Sequence, residues 1–329
     1  MRSQRGPLNP ERSARRLLAA SAPWLAAALY VGAITAVGRA SGLKLLLFPE
    51  LGALTSVVFS DPASRWSRSP LLLVLTPALT AVVGIVVSSR LPYGPASVAL
   101  VVVAGLLVLR ALRSPVAPAL SAGYLPVALG IRDWSYPLAI LLGTAGLALI
   151  HGLRARWQSS ADGAGPKRLR AATAQPPDVL PPMRRWLLPL SAFLAGGLVL
   201  GQMLGSHLVL YPPLLVIAWE TLAQSAHCPW RGRPGALLAA TTAAALVGLM
   251  LARLLGPAPL AACLATLITA LLLKRLRLTC PPAFAVALLP LVLTQPPSAF
   301  PLLVLTGGAW LMAVAAMAAR LEAGRRSER

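Results

Sequence analysis

Apolar residues fill twelve stretches of the chain without period-two alternation. Six lie at 17–37, 45–60, 70–89, 96–109, 116–130 and 137–153, and six more at 186–204, 208–225, 235–254, 259–273, 281–294 and 301–320. A run of about twenty apolar residues is long enough to cross a hydrocarbon core at a helical rise of 1.5 Å per residue. Lipid leaves the backbone no water to bond with, so spanning segments are helices or closed barrels, and the lack of alternation selects helices. Several runs, among them 45–60, 116–130 and 281–294, fall short of that length and carry internal proline, which marks them as tilted, broken or re-entrant. The pattern predicts an all-α membrane protein, a polytopic bundle of about twelve transmembrane or partly re-entrant helices.

The same phrase is written twice. Leu109-Arg110-Ala111-Leu112-Arg113, with Pro118-Ala119 after it, returns as Leu273-Lys274-Arg275-Leu276-Arg277 with Pro282-Ala283. The offset that carries Leu109 to Leu273 also carries Pro95 to Pro259, Leu125-Pro126 to Leu289-Pro290, Tyr136-Pro137 to Phe300-Pro301, and Gly143 to Gly307. One position tighter, Phe48-Pro49 matches Tyr211-Pro212. Matches of proline, glycine and paired cations at one offset point to two copies of one unit. The expected organisation is a basic tail over 1–16, a first transmembrane repeat over 17–153, a Pro/Gly-rich linker over 154–185, a second repeat over 186–320 and a tail over 321–329. Arg15-Arg16 before an apolar run also fits the start of a secretory leader. The run that follows is long enough to span and is the first member of the repeat, so it is read as retained.

The cations give an orientation. With a cytoplasmic amino terminus and twelve crossings, only Arg39, Lys44, Arg90, Arg132 and Arg253 of the 30 Lys and Arg residues fall on the far side. That bias obeys the positive-inside rule. Both termini and the linker are therefore expected in the cytoplasm, the chain in the inner (plasma) membrane of a bacterium. An even number of crossings per half makes the two repeats parallel in orientation.

Composition agrees, with 57% hydrophobic residues against 12% charged. The net charge of +21 would suit nucleic acid if it formed one face, but the cations are divided among the segments between apolar runs, so no nucleic-acid partner is expected. Three cysteines without ligand spacing give neither a disulfide framework nor a metal site. There is no phosphate-binding glycine loop, no metal-spaced histidine pair and no serine elbow. The reading is a non-enzyme without a cofactor, embedded in the lipid bilayer, with a homo-oligomer left open.

Candidate chemistry rests on polar groups where hydrocarbon disfavours them. Glu50 and Glu220 are the two acidic residues inside apolar runs, and a buried carboxylate there is a functional candidate by default. Gln224 and His227 follow Glu220 at helical spacing, on one face leading to the cytoplasmic end. Thr55 and Ser56 follow Glu50. The alternative for each Glu is a neutral acid bridging helices. Phe48-Pro49, Tyr211-Pro212-Pro213, Val116-Ala117-Pro118 and Cys280-Pro281-Pro282 are helix starts or, if inside the membrane, breaks that expose backbone to a cavity. Arg110, Arg113, Lys274, Arg275 and Arg277 stand just before two of these; brought together around a pseudo-twofold axis they would form a vestibule for anions, and otherwise they anchor the chain to lipid headgroups.

Phe48-Pro49-Glu50-Leu51-Gly52-Ala53 running into Phe59 and Pro70, and Cys280-Pro281-Pro282-Ala283 leading to Leu289-Pro290, resemble the HPP family of integral membrane proteins, named for a His-Pro-Pro motif at the start of a transmembrane segment. Cys280 stands where that histidine would be. A plastid branch of the family is associated with nitrite transport, so the resemblance implies a transporter or channel for a small anion. The expected function is a permease for a small solute, a nitrite-like inorganic anion or small organic acid, bound between the repeats by Glu50, Thr55, Ser56, Tyr211, Glu220, Gln224, His227 and the five cations. Alternatives are a non-transporting subunit or scaffold, and an exporter of aromatic or lipophilic acids.

Overall fold

A computed structural model describes residues 10–161, 183–224 and 228–327. Those residues form twelve α-helices and two short 3-10 turns. In chain order the first six are α1 (Pro10–Ser41), α2 (Glu50–Ser60), α3 (Pro70–Arg90), α4 (Pro95–Ala111), α5 (Pro118–Leu129) and α6 (Ser135–Ala161). The next six are α7 (Met183–Met203), α8 (Pro212–Leu222), α9 (Pro234–Leu255), α10 (Pro259–Leu276), α11 (Pro282–Val292) and α12 (Phe300–Ser327). The 3-10 turns, Lys44–Leu46 and His207–Leu210, precede α2 and α8. The carboxyl end of α6 and the start of α7 extend into the 154–185 interval expected to be linker; its central part, 162–182, lies outside the described residues, as does most of the amino-terminal tail.

The starts are set by proline, which costs nothing at a first helical position because the N–H it lacks has no partner there. Pro70, Pro95 and Pro118 open α3, α4 and α5, and Pro234, Pro259 and Pro282 open α9, α10 and α11, each pair related by the repeat offset. Ser69 caps α3 by accepting from the Leu72 N–H at 3.3 Å. At the other end of α10, the guanidinium of Arg233 donates to the carbonyls of Leu276 and Arg277 at 2.8 and 2.6 Å.

Crossing is not shared equally among the twelve. Seven helices are long and apolar enough to span: α1, α3, α6, α7, α9, α10 and α12. The 17-residue α4 falls just short of that length. α2, α5, α8 and α11 have 11 or 12 residues, a helical length of about 17 Å against a core of about 30 Å, and are the short members among the twelve that the proline-containing runs predicted. These four helices are the centre of the protein. Nearly every residue in them is buried, α2 packs on α11, and α5 packs on α8. The exposed large apolar side chains lie on or beside the other eight, among them Leu29, Leu71, Leu107, Leu149, Leu188, Leu254, Leu271 and Leu302. A ring of helices with lipid-facing apolar side chains thus encloses a core of short helices whose starts lie inside the bundle.

Close approach is bought with glycine. A Cβ on Gly84 of α3 would lie 2.1 Å from the Gly123 carbonyl oxygen of α5, and one on Gly248 of α9 would lie 2.1 Å from the Ala287 oxygen of α11. The two crossings occupy equivalent positions in the two halves, since the repeat offset carries Gly84 to Gly248 and Gly123 to Ala287. α1 packs on α2 of its own half and also on α10 of the other, where a Cβ on Gly32 would meet the Cys263 sulfur at 2.2 Å.

Candidate functional site

Where α2, α8 and α10 end, a cleft of about 1000 Å³ opens between first-half and second-half residues. Its walls come from the end of α2 and the loop behind it, from Glu220 near the end of α8, from Pro229 and Trp230, from the last turns of α10, and from Leu278 to Phe284 at the start of α11. Trp24 of α1 closes one side and stacks on Phe284, with ring centroids 5.8 Å apart and planes 10° from parallel. Four cations, Arg65, Arg68, Lys274 and Arg277, face two carboxylates, Asp61 and Glu220.

Glu220 is the electrostatic centre of the cleft. Its carboxylate accepts a hydrogen bond from the Arg65 guanidinium, an ion pair in which the acid is 3% exposed and the arginine 20%. Breaking one partner out of such a pair leaves a buried charge uncompensated, typically at several kcal/mol. Arg65 sits in the loop between α2 and α3, so the pair joins the two halves across 155 residues of sequence. The helical alignment expected for Glu220 and Gln224 does not form. α8 ends at Leu222, and the Gln224 N–H turns back to the Trp219 carbonyl at 3.1 Å, which takes it off the helical face. Gln224 is buried beyond that turn, and His227 lies outside the described residues.

Glu50 belongs to a different place. It occupies the first turn of α2, 1% exposed, and accepts from the Ser121 hydroxyl on α5. It is a polar bridge between two of the central short helices and does not line the cleft. Thr55 and Ser56, buried in the same helix, donate to carbonyls of their own turns, Thr55 to Leu51 at 2.8 Å and Ser56 to Ala53 at 2.7 Å; Ser56 also reaches the cleft wall. Tyr211 is fully buried at the start of α8.

The five cations separate. Lys274 and Arg277 line the cleft, whereas Arg110, Arg113 and Arg275 are exposed elsewhere and are not part of its wall. The single vestibule drawn from both cationic phrases is therefore corrected: in this cleft the second phrase is joined by Arg65 and Arg68. The diproline stretches are helix starts, and of the two only Cys280-Pro281 borders the cleft. Pro212 and Pro282 open helices, but those openings are buried inside the bundle.

Sequence reasoning missed Arg65, Arg68, Trp24, Trp66, Trp230 and Phe284 in the cleft, and Ser121 as the partner of Glu50. One signal was available: a carboxylate at the end of an apolar run needs a cation nearby, and the basic loop before Pro70 is a source of one.

Residues 189–328 match the family model described as HPP, transmembrane region. No curated protein and no solved structure matches the chain.

Proposed function

We propose that this chain, whose residues 189–328 carry an HPP transmembrane region, is a transporter or channel-like permease that moves a small anion through the cleft between its halves. The observation that carries the reading is the cleft itself: a space of about 1000 Å³ in an apolar bundle, lined by four cations, with an ion pair joining the two halves in its wall. Glu220, 3% exposed and paired with one of these cations, is a buried charge of the kind that membrane proteins keep for function, because desolvating it is costly. Four short central helices, packed in pairs across the halves, suit alternating exposure better than they suit a static anchor.

The two halves are read as copies of one unit. Helix starts that recur at the repeat offset, and glycine crossings that recur with them, support this reading. Positive-inside bias supports cytoplasmic termini in an inner membrane, with the cleft opening on the cytoplasmic side. Reporter fusions at Arg170 and at the carboxyl terminus should then both read cytoplasmic.

Purified protein reconstituted into liposomes should carry nitrite or a small carboxylate down a gradient faster than protein-free liposomes do. Absence of flux for every anion tried, from protein that retains its helical signal and unfolds cooperatively, would leave a subunit or scaffold role in its place.

A further inference from the structure

The cleft has more room and more aromatic surface than an inorganic anion uses. A water molecule occupies about 30 Å³ of liquid, and sites for drug-sized molecules begin at roughly 300 Å³; this cleft holds about 1000 Å³. The Trp24–Phe284 stack presents a flat apolar face at one side. Trp66 lines the wall near Arg65 in sequence, 6% exposed, and its indole N–H has no hydrogen-bond partner among the described residues. Beside these groups the Glu220 carboxylate already holds Arg65.

We propose that the cleft binds an aromatic carboxylate, with its ring against the Trp24–Phe284 stack and its carboxylate on Arg65, taking the place that the Glu220 carboxylate fills. The inference rests on the transport reading for its purpose but on the cleft alone for its geometry. Glu220 offers the guanidinium the same functional group that the ligand carries, so the resident contact shows what Arg65 is placed to hold. Exchange of one carboxylate for another keeps Arg65 compensated throughout. The displaced Glu220 stays in a cleft that also contains Arg68, Lys274 and Arg277, so it too keeps counter-charges in the same space. The aromatic wall supplies the part of the binding free energy that an inorganic anion cannot draw on.

The test is equilibrium binding of 2-naphthoate to the purified full-length chain, with uncharged 2-naphthamide as the control. Saturable binding of 2-naphthoate, at least tenfold tighter than 2-naphthamide, is expected. Glu220→Gln removes the competitor and should tighten 2-naphthoate roughly tenfold, whereas Arg65→Gln should weaken it by at least as much. Should Arg65→Gln fail to fold, Trp24→Leu serves instead and should weaken 2-naphthoate while leaving acetate binding unchanged. Equal binding of acid and amide, or 2-naphthoate binding indifferent to Glu220→Gln, overturns the proposal. Nitrite flux without 2-naphthoate binding sinks this inference and leaves the transport reading standing. Binding of 2-naphthoate without flux of any anion keeps the site and removes transport.

Discussion

Arg113 and Arg277, partners at the repeat offset, share the same left-handed backbone, each with φ of 49°, and are the two non-glycine residues with positive φ among those described. Each ends a helix in the same way: the Ser114 N–H closes on the Leu109 carbonyl at 2.8 Å, and the Leu278 N–H on the Leu273 carbonyl at 3.0 Å. This is the six-to-one closure of a Schellman turn, which glycine ordinarily fills.

An L side chain in that conformation costs roughly 1–2 kcal/mol. Arg113→Gly and Arg277→Gly should therefore hold or raise the thermal unfolding temperature in detergent, and Arg277→Val should lower it. A glycine variant less stable than the valine variant would show that the arginine side chain, and not the turn, is what the position requires.

The glycine crossings make a second prediction. Gly84→Ala and Gly248→Ala must push backbone aside, since the new Cβ would lie 2.1 Å from a carbonyl oxygen in each case. Overpacking of this kind costs about 1–3 kcal/mol. Gly235→Ala meets nothing within 4 Å and should be neutral or stabilising by up to about 1 kcal/mol. Thermal unfolding of the three variants side by side decides it.

Ser121 and Glu50 should be coupled. Ser121→Ala takes from the buried Glu50 carboxylate its side-chain donor and is expected to cost about 1–3 kcal/mol. In a double-mutant cycle with Glu50→Gln the two effects should fail to add by roughly 0.5–3 kcal/mol, as groups sharing one hydrogen bond do. Additivity would mean that the bridge contributes nothing to the packing of α5 on α2.

Charge in the cleft should show as salt-dependent flux. Neutralising Lys274 and Arg277 is expected to slow anion flux at low ionic strength and to matter less in high salt, because 0.1 M salt screens exposed charges beyond about 10 Å. Neutralising Arg110 and Arg113, which are not on the cleft wall, should leave flux per molecule unchanged. An equal loss from both pairs would restore the shared vestibule.

Asp133, outside the spanning segments, accepts from the Ser135 N–H at 2.9 Å and from its hydroxyl at 2.7 Å, and these bonds hold its carboxyl below the usual range. A lowered folded value means that the cap's contribution is complete above the ordinary carboxylate range and is lost as pH falls through the lowered value. The protection factors of amides at the start of α6, taken relative to the intrinsic exchange rate at each pH, should fall at acid pH in the parent and stay level in Asp133→Ala. Acid loosening that persists in the variant would place the titrating group elsewhere.

That the chain is a helical membrane protein, and where most of its helices begin, is legible in the residue pattern alone. Those properties are local: an apolar run satisfies its own backbone as a helix, and proline fixes a start whatever surrounds it. That α2, α5, α8 and α11 form a buried core follows from tertiary packing and not from local pattern. In hydrocarbon the lipid-facing and the protein-facing sides are both apolar, so hydropathy cannot separate inside from outside as it does in water. Nor could local pattern place Arg65 on Glu220 or the Trp24 ring on Phe284. Each contact joins one half to the other, and its existence depends on how the central helices pack across the halves.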